Sequence, residues 1–176
     1  MNTATKIIIV VLILSTLLTA CASKPNANKS IVSRVAEKIA LYTMPEGYSE
    51  GFAVDLWGYQ LVSLKGETDN CHLYMVQAPK DMVVDMDSLK EQARELQGLQ
   101  KQDRYSRVST TEVRTVTVRG QEVPMIVGEG ENSSNQTFRE VAVLFEGRGG
   151  PALVSISSPV DEWDWETVDA FIASIE

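Results

Sequence analysis

Ser109-Thr110-Thr111-Glu112-Val113-Arg114-Thr115-Val116-Thr117-Val118, followed by Arg119-Gly120-Gln121 and then Glu122-Val123-Pro124-Met125-Ile126-Val127, is the stretch that decides the fold. Its first run is rich in Thr and Val, whose branched Cβ atoms suit a pleated strand. In the second run Val123, Met125 and Val127 recur at every other position, the period of a strand with one buried face. Two such runs around a short Gly-containing turn make an antiparallel hairpin. The pattern then repeats: a turn at Asn132-Ser133-Ser134-Asn135, a strand from Phe138 to Glu146, a turn at Gly147-Arg148-Gly149-Gly150 and a strand from Ala152 to Ser158. Strands joined in succession by turns build an antiparallel sheet.

Working outward from this block, the chain closes with a helix beginning near Asp161–Asp164, with Trp165, Val168, Phe171, Ile172 and Ile175 along one side. Upstream, Ser88-Leu89-Lys90-Glu91 fits a capping box, and Leu89, Ala93 and Leu96 form a helical stripe that stops at Gly98. Cys71 to Gln77 reads as a strand, placing Cys71, Leu73 and Met75 on one face and His72, Tyr74 and Val76 on the other. Lys65 to Asn70 is a turn, and Phe52 to Leu64 is one strand or two, bent near Gly58. From Ser30 to Leu41, Ile31, Val35 and Ile39 stand four apart beside Val32 and Ala36, as in an amphipathic helix. The expected class is α+β: an antiparallel sheet of about six to seven strands packed with two to three helices, in one domain over residues 30–176.

Residues 1–20 belong to no such pattern. Met1 to Lys6 carry one positive charge, and Ile7 to Leu18 are apolar apart from Ser15 and Thr16. Twelve helical residues reach roughly 18 Å, short of a hydrocarbon core of about 30 Å, so the segment suits a cleaved signal peptide better than a permanent span. Leu18-Thr19-Ala20-Cys21 resembles the lipobox of bacterial lipoproteins, with Leu three positions before the cut, a small residue just before it, and Cys just after. The resemblance implies a diacylglycerol on the Cys21 sulfur, cleavage before Cys21, and an acyl chain such as palmitate on the new amino group. One acyl chain binds a bilayer reversibly, whereas two or three hold a protein there. Ala22 stands where some lipoproteins carry an Asp that retains them at the inner membrane, so the resemblance points to the periplasmic side of the outer membrane. Residues 21–29 then form the lipidated Cys and a polar tether interrupted by Pro25.

The order of elements, with Met44-Pro45-Glu46-Gly47-Tyr48 early and Trp163-Asp164-Trp165-Glu166 before Phe171-Ile172-Ala173-Ser174-Ile175, resembles the PsbP-like fold, an antiparallel sheet between helices. That family commonly serves as an accessory or interaction module.

Charge narrows the function. The 176 residues hold 16 Lys+Arg against 24 Asp+Glu, and residues 30–176 alone carry 13 basic and 24 acidic groups, a charge of −11. Such a domain has no basic surface for phosphates, so no nucleic-acid partner is expected. One His and two Cys cannot build an ordinary zinc site. With Cys21 lipidated, Cys71 has no disulfide partner and is expected in the core.

No catalytic set converges. Cys71 and His72 point to opposite faces of a strand, and no Gly-x-Ser-x-Gly elbow exists. The acids Asp81, Asp85 and Asp87, and Asp161, Glu162, Asp164 and Glu166, precede helices, where capping accounts for them. Gly147-Arg148-Gly149-Gly150 lacks the Lys-Ser/Thr of a phosphate loop. Of Trp57, Trp163, Trp165 and the Tyr residues, most are expected in the core, with one or two near the C-terminal helix exposed as a partner surface. The reading that follows is a non-enzymatic, lipid-anchored periplasmic protein, bound to the membrane by its lipid, that binds or scaffolds an envelope protein, with no cofactor. The alternative is a copper-handling lipoprotein, because Cys71, His72, Met75, Met82 and Met86 offer thiolate, imidazole and thioether donors within 16 residues. An envelope hydrolase is a distant third.

Overall fold

The computed structural model describes residues 30–68, 70–97, 106–131 and 135–176. The expectations for the signal peptide, lipobox and tether, and for the turn residues Asn132–Ser134, lie outside the described residues.

The hairpin block forms as expected, with strands β4 (Ser106–Val118), β5 (Gln121–Glu131), β6 (Thr137–Glu146) and β7 (Pro151–Pro159) each antiparallel to the next. The segment 52–64 resolves as two strands, β1 (Ser49–Leu56) and β2 (Tyr59–Lys65), followed by β3 (His72–Gln77). The β1–β3 meander joins the β4–β7 meander where β3 pairs antiparallel with β7, giving one sheet in the order β1-β2-β3-β7-β6-β5-β4. Among the described residues the chain therefore adopts the expected α+β class, with seven antiparallel strands and three helices.

Alternation along the strands divides the core in two. Val62, Met75, Val143 and Val154 face one side, where α1 (Ile31–Ile39) and α3 (Trp165–Ala173) cover them. Leu61, Val76, Ala142 and Leu153, the neighbours of those residues, face the other side beneath α2 (Met86–Gln97). Each fully buried aliphatic side chain contributes roughly 1.5–3 kcal/mol relative to exposure, so both layers are needed to hold a sheet whose central strands are apolar on both faces.

The helices differ from expectation at their starts. In α1 the buried stripe is Val32, Val35, Ala36 and Ile39, whereas Ile31 is exposed. Ser30 caps this helix by accepting from the Ser33 N–H at 2.9 Å. The box before α2 is shifted by three residues. Asp85 accepts from the Ser88 N–H at 2.8 Å while Ser88 Oγ accepts from the Asp85 N–H at 3.1 Å, so Asp85 holds the cap position expected of Ser88. A carboxylate outcompetes a hydroxyl there because it also meets the positive helix end as a charge. At the C-terminal end a 3-10 turn spans Val160–Glu162, and Asp164 caps α3 through the Glu166 and Thr167 N–H groups.

Two polar contacts fix the layers. Lys90 of α2 pairs with Glu140 of β6 at 2.8 Å, with both side chains mostly buried. Gln77, buried at the end of β3, donates to Lys38 O and Gln60 Oε1 and accepts from the Gly149 N–H. The Gly147–Gly150 turn is thus a hairpin turn laid over Gln77, and a Cβ at Gly149 would collide with the Gln77 amide.

Candidate functional site: an apolar tip at one end of the sheet

β1 and β2 are joined by Trp57-Gly58, with φ of 53° and 85°. A two-residue hairpin turn with both φ positive is the form that matches strand twist, and Asn-Gly is its ordinary sequence. Gly58 fits at no cost, and the nearest atoms a Cβ there would meet are those of Pro79. A bulky residue such as Trp57 in that region is an outlier costing of order 1–3 kcal/mol. The residue is also 82 % exposed. Arg119-Gly120, the β4–β5 turn, has the same conformation, but the Arg119 guanidinium donates to Glu146 O at 2.6 Å and its N–H to Ile175 O. Arg119 is held by those bonds, whereas Trp57 is held by the turn and projects its ring into solvent.

The loop after β3 brings further apolar surface to this turn. Pro79 lies beside Gly58, and the Tyr59 hydroxyl donates to the Met82 sulfur at 3.3 Å. Val84 and Met86 turn inward against the second core layer, leaving Met82 and Val83 outside, Val83 entirely so. Leu56, Trp57, Met82 and Val83 therefore form an apolar tip with polar groups at its rim. On that rim Lys38 pairs with Asp55 at 2.5 Å, and hydrogen bonds from Lys38 and then Gln60 hold the Asp55 carboxyl below the usual carboxylate range. An apolar centre rich in Trp and Met inside a polar rim is the composition of a protein-binding surface.

The tip lies far from Ser30, the first of the described residues. Ser33, in the first turn of α1, donates to Glu50 at the start of β1, while Lys38 at the end of α1 reaches Asp55 at the end of β1. Helix and strand run the same way, so Ser30 and Trp57 stand at opposite ends of β1, about 23 Å apart along the strand.

The aromatics expected to form a surface beside the C-terminal helix are placed differently. Trp163 and Trp165 are half-buried and packed edge to face, 5.2 Å between centroids. Arg114 lies 4.4 Å from the Trp165 ring, and Arg139 lies 5.7 Å from both rings while pairing with Glu129. This is a packed cation–π stack, and the exposed Trp is Trp57 at the other end of the sheet.

The five soft donors do not share one site. Met75 is fully buried beneath α1, and Met86 packs in the opposite core layer. Met82 is at the tip, whereas Cys71 and His72 are at the far end of β3. Cys71 and Met75, although on one face, stand roughly 13 Å apart along the strand. Among the described residues no three His, Cys, Asp or Glu side chains group as metal ligands.

Cys71 is half-buried rather than in the core. Its sulfur is 3.2 Å from Thr68 Oγ1 and 3.4 Å from Glu162 Oε2, and Thr68 donates to that same carboxylate at 2.8 Å. Burial, aided by Glu162, pushes the Cys71 thiol up, so the group is a thiol rather than a nucleophilic thiolate. Of the seven acids expected at helix starts, Asp85 and Asp164 are helix caps, and Glu162 accepts from Thr68. Among the described residues, no helix is long and apolar enough to cross a membrane. Comparison of the chain with protein-family models and with curated protein sequences gives no match.

Proposed function

We propose that this protein is a lipid-anchored, non-catalytic binding or accessory protein of the bacterial envelope, facing the periplasm from the outer membrane. Its lipid is carried by Cys21, and it engages a protein partner through the tip at Trp57. The observation that carries the partner reading is a bulky aromatic kept both exposed and in an unfavourable backbone conformation, next to exposed Leu56, Met82 and Val83. Strain that no local bond explains points to a use for the side chain. Ser30, which follows the proposed tether, stands at the opposite end of β1, an arrangement that suits a tip facing away from the membrane.

A photo-crosslinking residue at Val83 in intact cells tests the partner. A discrete adduct that disappears on adding Trp57→Asn is expected, and an adduct pattern indifferent to Trp57→Asn overturns the docking role. For the anchor, Cys21→Ser is expected to abolish lipid labelling and to stop processing before residue 21. Unchanged processing and membrane fractionation would refute it.

A further inference from the structure

We propose that β4 pairs, antiparallel, with β4 of a second copy of this chain about a two-fold axis at Val113. β4 is an edge of the sheet, 13 residues long; its sequence contains no Pro and no Lys, and its two register shifts, between Ser106 and Ser109 and between Thr110 and Glu112, leave the run from Glu112 to Val118 regular. The other edge, β1, is shorter and lies beside α1, which bonds to both its ends through Ser33 and Lys38.

Register decides which groups β4 offers. The two-residue turn makes Val118 and Gln121 a hydrogen-bonded pair, so Val118, Val116, Arg114 and Glu112 exchange bonds with β5. The N–H and C=O groups of Val113, Thr115 and Thr117 therefore point out of the sheet. Val113 is 60 % exposed in the middle of this edge. Beside it a groove of about 360 Å³ runs between Arg114–Thr117 and the Asp169, Ile172 and Ala173 side of α3.

The sequence of β4 is complementary to itself. Around an axis at Val113, Val113 meets Val113 of the second copy, and Glu112 meets Arg114 twice, once on each side. Beyond these three positions the register shift between Thr110 and Glu112 interrupts the match. The Glu112–Arg114 pairs fall at non-hydrogen-bonded positions, where cross-strand side chains are closest and opposite charges attract. Within one copy Arg114 stacks on the Trp165 ring and is only loosely ion-paired, 3.7 Å from Glu112 and 3.8 Å from Asp169, so the edge of its guanidinium can serve a second carboxylate. The contact is isologous and closes on itself. A bulge between Thr110 and Glu112 limits the ladder, so the dimer is a weak one, favoured where copies share a surface.

Cysteine crosslinking of the full-length protein in native membranes tests the register, in a Cys71→Ser background. Val113→Cys places two sulfurs on Cα atoms about 5.5 Å apart, within disulfide reach. Thr117→Cys, equally on the open edge, places them roughly 27 Å apart. A disulfide dimer at position 113 and none at position 117 is expected. Equal crosslinking at both positions, or none at 113 because another partner covers the edge, overturns the proposal. Glu112→Arg is expected to lower the yield at 113 several-fold and the further change Arg114→Glu to restore it, and a yield indifferent to Glu112→Arg refutes the charge pairing.

Discussion

Trp57 and Gln77 are single side chains whose roles depend on backbone geometry around them. Because Trp57 occupies a turn position that suits Asn, Trp57→Asn removes strain and is expected to raise stability by about 1 kcal/mol. Thermal or urea unfolding measures this, and a loss of stability would mean that the indole packs in the folded state. A substitution that strengthens the fold while abolishing partner capture separates a binding role from a structural one. Gln77 is the opposite case. It is buried and bonded at both ends of its amide, so Gln77→Leu strands the Gly149 N–H and the Lys38 carbonyl. The expected cost is about 2 kcal/mol, since each unpaired buried group costs roughly 1–3 kcal/mol. An unfolding midpoint equal to that of the unaltered chain would show that water replaces the amide.

Neither residue was legible in the sequence. Trp57 sits in an apolar run, and Trp-Gly lacks the Asn or Asp that signals this turn, so the run reads as one strand or two with only a bend near Gly58. Gln77 reads as the polar end of β3, because nothing local announces that Gly149, 72 residues further on, returns over it.

Strands and helices were more legible, since their hydrophobic periods are local. The hairpins of β4–β7 and the stripe Leu89, Ala93, Leu96 in α2 appear as expected. The helix starts moved because capping depends on geometry that period alone does not specify. Those caps carry a pH signature. Hydrogen bonds from Ser88 hold the Asp85 carboxyl below its ordinary value, and bonds from Thr167 and Glu166 do the same for Asp164. Unfolding returns both to about 3.9, so between the two values the unfolded chain binds more protons. Their contribution is complete above pH ~4 and fades as pH falls through the lower, folded values. Asp85→Asn with Asp164→Asn keeps cap acceptors but cannot titrate. Its Tm is expected to fall less steeply below pH ~4 than that of the unaltered protein, and parallel curves would assign the acid sensitivity elsewhere.

Charge and connectivity set the behaviour of the assembled domain. Residues 30–176 carry −11, so copies repel except where a local pattern such as Glu112-Val113-Arg114 offers each sign to the other. The α+β class was legible from turns and periods, but the layer that each helix covers was not, because that depends on which strands become neighbours. Among the described strands, every pair but one joins segments adjacent in the chain, whereas β3 and β7 must find each other about 80 residues apart. Hairpins close in about 1–10 μs, and long-range pairing is far slower because loop closure precedes the contacts that reward it. The two meanders are therefore expected to form early and separately, and the seam between them last. Until it closes, β3 and β7 are both open edges, so the interval before docking is when a nascent chain is most exposed to pairing with the wrong strand.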